Sequence, residues 1–346
     1  MTGRHTVLQA IPASSSRVAI GDLDGDHRNE IVACGPDALT VLDASGKKLA
    51  QLTIVDGIQK LVVADLDSDG SAEIYAGWGQ TREHMDTKAR FSVLHFGAGA
   101  LREENIVTPA TTRQDVVSIV PVFEDRTMYL MYFESKYIVA SVRVWRDRQT
   151  WIVQEAPPTF RMASSFARGD VDADGYQELV IGRVYGDDVG LDGDASVNTS
   201  RRGLTMTIPT TRGVRSAAVI DGAVYLGDGW HKNYGTEARG LFSRATFDVS
   251  TNAFVTKIIE DTPGQYAIEA IIPATIENRR VIVTQGTKYT RAFRPNGDKW
   301  EAVTFAGLAR DVAVGDLDGK PGDEILILGE TAEIVSLEGA TWSPIP

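Results

Sequence analysis

One acidic segment recurs along this chain and constrains its fold more than any other feature. The stretch DLDGDHRNE, Asp22 to Glu30, sets aspartates at alternate positions and closes on a glutamate. The same frame returns as DLDSDGSAE from Asp65, DVDADGYQE from Asp170 and, altered, DLDGKPGDE from Asp316. A small residue precedes each segment (Gly21, Ala64, Gly169, Gly315) and an apolar run follows it. Successive first aspartates are spaced at one, two and three units of about fifty residues, the mark of an internal repeat.

Three units therefore lack the acidic segment, and their strand pattern locates them. VVSIVPVFEDRTMYLMYF from Val116 has two β-rich runs around Glu124-Asp125-Arg126. SAAVIDGAVYLGDG from Ser216 turns at Asp221-Gly222, a strong hairpin signal. IEAIIPATIENRRVIVTQG from Ile268 turns at Asn278. Each unit continues with two further strand-like runs, such as ALTVLDA and KLAQLTI in the first. Four short antiparallel strands repeated seven times, with no long 3.6-period segment, predict an all-β fold: a seven-bladed β-propeller of four-stranded antiparallel blades. A lone blade cannot bury both faces, and stacking in a closed ring solves that. The expectation is one domain over 1–346, with blades at 17–56, 57–110, 111–160, 161–212, 213–263, 264–307 and 308–346. The small residues before the acidic segments suit inner strands that crowd an axis. A strand within 5–11 or the C-terminal ATWSPIP can complete the last blade, and the pattern leaves both open.

Alternate carboxylates suit a hard cation. Calcium takes six to eight oxygens in a flexible shell. In each full segment, side chains 1, 3 and 5 converge as the chain curls, a carbonyl near position 7 can join them, and the acid at position 9 closes the shell. The predicted calcium ligands are Asp22, Asp24, Asp26 and Glu30; Asp65, Asp67, Asp69 and Glu73; and Asp170, Asp172, Asp174 and Glu178. Gly70 and Gly175 at position 6 permit the tight turn, and His27 stands there in the first loop. An EF-hand needs glutamate at position 12 and flanking helices, whereas Ala33, Ala76 or Ile181 stands there between β-rich flanks. Plain acidic turns are the other alternative, and mutual repulsion of clustered carboxylates disfavours it. In the fourth loop, a degraded site of Asp316, Asp318 and Glu324, Lys320 replaces the position-5 acid. Its ammonium either stands in for part of the cation or points to solvent.

The formal charge of −12 argues against a nucleic-acid partner. Three bound divalent cations would halve it. Cys34, the single cysteine, excludes an internal disulfide framework and reads as a small buried hydrophobe. No apolar run approaches the ~18 residues of a membrane span. The start, MTGRHTVLQA, lacks the apolar core of a secretory signal. The expectation is a cytoplasmic monomer, or an extracellular or periplasmic one if a signal has been removed.

These loops resemble the FG-GAP, or VCBS, repeats of integrin-α-like seven-bladed β-propellers. The resemblance rests on DLDGDHRNE, DLDSDGSAE, DVDADGYQE and the degraded DLDGKPGDE. It implies calcium in loops joining strands 1 and 2 on one face, and ligands on the opposite face or between blades. The family includes adhesion receptors, fungal lectins, polysaccharide lyases and sugar dehydratases, so the fold alone does not license a function.

The loops joining strands 2 and 3 would lie on that opposite face, and five of them couple an aromatic to a basic residue. They offer Trp78 with Arg82, Tyr137 with Lys136, Tyr185 with Arg183, Trp230 and Tyr234 with His231 and Lys232, and Tyr289 with Lys288 and Arg291. Aromatic faces beside cations suit a sugar, especially an anionic one. Strand-end capping and local charge balance are the plainer reading. Asp187, Asp188, Asp192 and Asp194 form an acidic loop that can hold a cation, supply a catalytic acid, or be solvated. The leading expectation is a calcium-stabilised binding module for a glycan or protein. A carbohydrate-active lyase or dehydratase is the alternative, with His231, Tyr234 or His84 as base and Lys232, Arg183 or Arg82 neutralising the carbanion. An intracellular protein-docking scaffold is the third. No catalytic triad, nucleotide loop or HExxH spacing is present.

Overall fold

The structure, a computed structural model, describes residues 4–79, 89–107, 116–122, 127–135, 138–147, 150–161, 163–183, 194–199, 204–210, 213–228, 239–263, 267–305 and 307–345. Among the described residues there is no helix, and the strands form seven antiparallel sheets. In chain order their first strands are Arg17–Gly21, Ile58–Ala64, Val116–Val122, Ala163–Gly169, Val214–Ile220, Ile268–Ile276 and Asp311–Gly315. Sheets 1 to 5 each take four consecutive strands.

Burial grades from the second strand to the outer strand in the first sheet. The second strands Glu30–Cys34, Glu73–Trp78 and Ala223–Asp228 are buried at every residue. Apart from Glu30, Glu73 and Asp228 at one end, they carry no charged residue, because neighbouring sheets cover both of their faces. The outer strand Lys48–Thr53 instead has a single fully buried residue, Ala50. Interfaces between sheets are the core: Val32, Leu39 and Val41 of sheet 1 pack with Ile74, Ala76 and Trp78 of sheet 2.

The first strands pack one on the next in chain order, and Asp311–Gly315 packs back on Arg17–Gly21, closing the circuit. Glycine makes this crowding possible. A Cβ on Gly169 would lie 2.3 Å from Val219 Cγ1 and 2.8 Å from Val219 Cβ in the next sheet. Gly21 meets Val63, and Gly315 meets Ile20, in the same way. Gly169→Ala is therefore expected to cost about 1–3 kcal/mol by overpacking, read as a lower urea midpoint. An unchanged midpoint would show that Val219 yields freely.

The two termini take different places. Arg4–Val7 pairs antiparallel with Ala332–Ser336 as the outermost strand of sheet 7, beside Glu324–Leu328 and Asp311–Gly315. Ser343–Pro344 departs from the expected last blade and pairs with Glu301 and Ala302 as a fifth strand of sheet 6. Arg294 lies over the Trp342 ring at 4.4 Å, and the Ile345 N–H donates to Trp300 O at 2.9 Å. These contacts hold the C-terminal segment against sheet 6.

Candidate metal centres and the opposite face

All four acidic segments join the first and second strands of their sheets, so they share one face. Each curls around its first aspartate. In the first loop, Asp22 Oδ1 accepts from the Gly25 N–H at 2.7 Å and Oδ2 from the His27 N–H at 2.8 Å. Asp65 accepts from Asp69 and Gly70, and Asp170 from Asp174 and Gly175. The closing glutamate reaches back to position 2. Glu30 Oε2 accepts from the Leu23 N–H at 2.8 Å, Glu178 from Val171 at 3.0 Å and Glu324 from Leu317 at 2.8 Å.

Two positions in the turn are left-handed. Position 6 is His27, Gly70 or Gly175 (φ 66°, 98°, 86°), as the tight turn demands. Position 4 is also left-handed, at Gly25, Ser68, Ala173 and Gly319, which the acidic spacing alone does not reveal. His27→Gly is expected to stabilise the protein by up to about 1 kcal/mol, because it removes the left-handed penalty of a side chain. A lower urea midpoint in the variant would refute this.

In each loop, three carboxylates offer oxygens that lie within 4.8 Å of one another. The groups are Asp22, Asp24 and Glu30; Asp65, Asp67 and Asp69; Asp170, Asp172 and Glu178; and Asp316, Asp318 and Glu324. Three predicted ligands fall outside these groups. Asp26 is held by the Arg28 guanidinium, which keeps its carboxyl below the usual range. Glu73 Oε2 accepts from the Tyr75 hydroxyl at 3.1 Å. Asp174 Oδ1 accepts from the Tyr176 N–H at 3.0 Å. The altered fourth loop brings its acids together as the full loops do, and Lys320 Nζ pairs with Asp318 Oδ2.

The glutamates are under electrostatic stress. Burial pushes Glu30 up to about 7, aided by Asp24, Asp26 and Asp22 and opposed by the Leu23 N–H. Burial also pushes Glu73 up to about 7, with Asp67 the next cause. Glu178 and Glu324 are raised for the same reason. Neighbouring loops are tied together: Asn29 Nδ2 donates to Asp316 O, and the Ala72 N–H to Asp22 O, both at 2.7 Å. A cleft of about 490 Å³ runs between the first and fourth loops and the Asp43–Lys47 turn.

No family model matches the chain, and no curated protein matches it. Among solved structures, the extracellular domain of a one-component system from B. thetaiotaomicron matches with TM-score 0.56 and 11% identity, over 96% of this chain and 39% of that one. An extracellular domain from the same organism, described as part of a hybrid two-component system, matches with TM-score 0.55 and 12% identity over 96% and 39%. The Dos1 propeller matches with TM-score 0.55 and 12% identity, over 93% of this chain and 78% of that one. The chain folds as a β-propeller. It spans about two fifths of the B. thetaiotaomicron chains, and identities this low speak to fold alone.

On the propeller's other face the aromatic–basic pairs divide. Arg82, His84, Lys136, Tyr137, Tyr185, Asp187, Asp188, Asp192, Trp230, His231, Lys232 and Tyr234 lie outside the described residues. Trp78 is 1% exposed, so it belongs to the core rather than to a ligand platform. Arg90 stacks over its ring at 3.7 Å and its indole N–H donates to Ser92 Oγ. Arg183 is tied to Asp194 at 2.7 Å and to Ser196 at 3.1 Å. Arg291 pairs with Glu260 in a partly buried contact, and Lys288 sits 5.1 Å from the Tyr289 ring. The described pairs thus satisfy one another or nearby acids. Cys34 is buried, and burial pushes its thiol up to about 12, so it packs rather than reacts. No helix among the described residues is long and apolar enough to cross a membrane.

Proposed function

We propose that this protein is a calcium-stiffened, seven-bladed propeller of the FG-GAP/VCBS kind that works as a binding module, with its ligand, a glycan or a protein, on the face opposite the acidic loops. One observation carries the reading: four loops on one face each gather three carboxylate oxygens within 4.8 Å. Two oxygens sharing a calcium ion lie at most about 5 Å apart, twice the Ca–O distance. The donor set is all oxygen, as a hard cation requires. Asp22, Asp24 and Glu30, Asp65, Asp67 and Asp69, and Asp170, Asp172 and Glu178 would hold the ions, which would supply structural stiffening only. Burial is the main cause that raises Glu30 and Glu73, and a cation would relieve the repulsion from neighbouring aspartates that adds to it.

The ions would leave the opposite loops rigidly supported, a common arrangement for recognition. Calorimetric titration of chelator-stripped protein with calcium tests the metal, with three or four sites expected. A panel of neutral and acidic glycans tests the ligand. Absence of calcium heat together with absence of metal in the purified protein would remove the cation reading. A panel without binders, beside a captured protein partner, would assign the face to proteins.

A further inference from the structure

The acidic loops mark one mouth of the ring, and the starts of the first strands mark the other. Arg17 and Asp311 open their strands, and Lys60, Arg215 and Glu269 stand within three residues of the start of theirs. Register places three of them at one level. Arg17 faces Cys34, Lys60 faces Gly77 and Asp311 faces Leu328, each four residues from the paired strand end that leads into the acidic loop. Sheets 7, 1 and 2 are neighbours, so Asp311, Arg17 and Lys60 adjoin around the axis. Arg215 and Glu269 occupy irregularities in their ladders, which turn a side chain out of the pairing pattern.

The charges at this rim do not cancel. Arg215 Nε pairs with Glu269 Oε2 at 2.8 Å. Arg17 donates to the carbonyls of Gln59 at 2.7 Å and Ser16 at 2.6 Å. Asp311 Oδ2 accepts from the Val18 N–H at 2.9 Å, and burial holds it above the usual carboxylate range. Lys60 is reached by solvent, and among the described residues its ammonium has neither a hydrogen bond nor an ion pair. Enclosure by the surrounding rim, then repulsion from Arg17 and Arg215, push it down to about 8, against the pull of Asp311 and Glu269. A side chain in a narrow channel mouth has both properties: water reaches it, yet protein surrounds it. With Arg215 paired to Glu269, Arg17 and Lys60 stand against Asp311 alone, an excess of one positive charge in a chain of net charge −12.

We infer that the rim is an anion site, in which Lys60, with Arg17 at the same level of the neighbouring sheet, receives one oxyanion group, a carboxylate or a phosphate, at the ring axis. Such a group would supply the charge-assisted partner that Lys60 lacks and offset the repulsion that Arg17 and Arg215 exert on it. The site stands apart from the calcium loops, which lie at the far mouth, and it needs no contribution from the outer aromatic–basic loops.

Competition for the amine tests it on the full-length protein. Lys60 is acetylated with an amine-reactive reagent at constant ionic strength in sodium chloride, and labelling is followed by peptide mass spectrometry. Sodium phosphate and glucuronate are the probes, and glucose is the neutral control. A bound oxyanion holds the ammonium charged, and a one-unit rise means about tenfold slower labelling. Either probe should therefore slow Lys60 about tenfold while leaving the exposed Lys299 unchanged. Slowing by glucuronate alone assigns a carboxylate ligand, by phosphate alone a phosphate ligand, and by both a general oxyanion site. Calorimetric binding of the active probe should vanish in Lys60→Gln and persist in Lys60→Arg. Equal rates with probe and with chloride, equal slowing of Lys60 and Lys299, or undiminished binding by a folded Lys60→Gln would overturn the inference. The labelling arm uses the unaltered protein, so it does not depend on how a variant folds.

Discussion

Restoring calcium to chelator-stripped protein is expected to raise its unfolding midpoint, and to raise it more near neutrality than in mild acid. An ion bound only by the folded state stabilises it by mass action, about 2.7 kcal/mol per site at a hundredfold excess over the dissociation constant. Three full loops together reach roughly 8 kcal/mol on that basis. The pH dependence follows from Glu30 and Glu73, whose carboxyls are raised from 4.5 to about 7 without an ion. Their folded-state pKa exceeds the unfolded one, so the folded state holds the extra protons. The associated stability is present below about 4.5 and is lost as pH rises through about 7. Each shift corresponds to about 3 kcal/mol between charged and neutral forms. Stripped protein should therefore melt at a lower temperature near pH 7.5 than near pH 5, and calcium should remove most of that difference. Thermal scans with chelator and with calcium at both pH values provide the check. Coincident midpoints in all four scans would sink the assignment.

Trp78→Ala is expected to cost about 3–5 kcal/mol of stability, the usual penalty for emptying a large aromatic site. The indole fills the interface between sheets 1 and 2 with Leu39, Val41 and Ile58. Its loss also strips Arg90 of the ring below it, leaving the guanidinium with Glu103 and, at 3.2 Å, Asp56. Ser92 would keep only its charged contacts, with Glu103 Oε1 at 2.7 Å and Arg90 at 3.3 Å. Urea unfolding measures the cost, and Trp78→Phe separates stability from recognition. The Phe variant should recover most of the midpoint and bind any identified glycan or protein as the parent does. A wild-type midpoint for Trp78→Ala would show the site is not core.

What could be read from the chain alone follows the range of the interactions involved. The acidic loops were legible because Asp22, Asp24 and Glu30 converge within one turn, so their spacing carries their geometry. The units without acids were legible as hairpins, and the strands Val214–Ile220 and Ala223–Asp228 meet at Asp221-Gly222 as expected. The left-handed position 4 was hidden because Ser68 and Ala173 carry no glycine signal. The sequence leaves Trp78 open between ligand contact and strand-end packing, because an aromatic at a strand end beside a basic loop looks alike whether it faces solvent or a neighbouring sheet. Only packing between sheets distinguishes the two. The axial rim was invisible for the same reason: Arg17, Lys60, Arg215, Glu269 and Asp311 come from five separate units, and ring closure alone assembles them.

The pairing of Arg4–Val7 with Ala332–Ser336 also has a temporal side. The N-terminal strand is synthesised long before its partner, so it waits unpaired until Ala332–Ser336 has been made. Loop-closure cost grows only logarithmically with the intervening length, so the delay is mainly one of timing rather than of final stability. Until the two strands meet, each presents an unpaired edge, able to pair with a strand from another molecule. Slow folding or a lost N-terminal strand would thus favour strand exchange between copies at this seam.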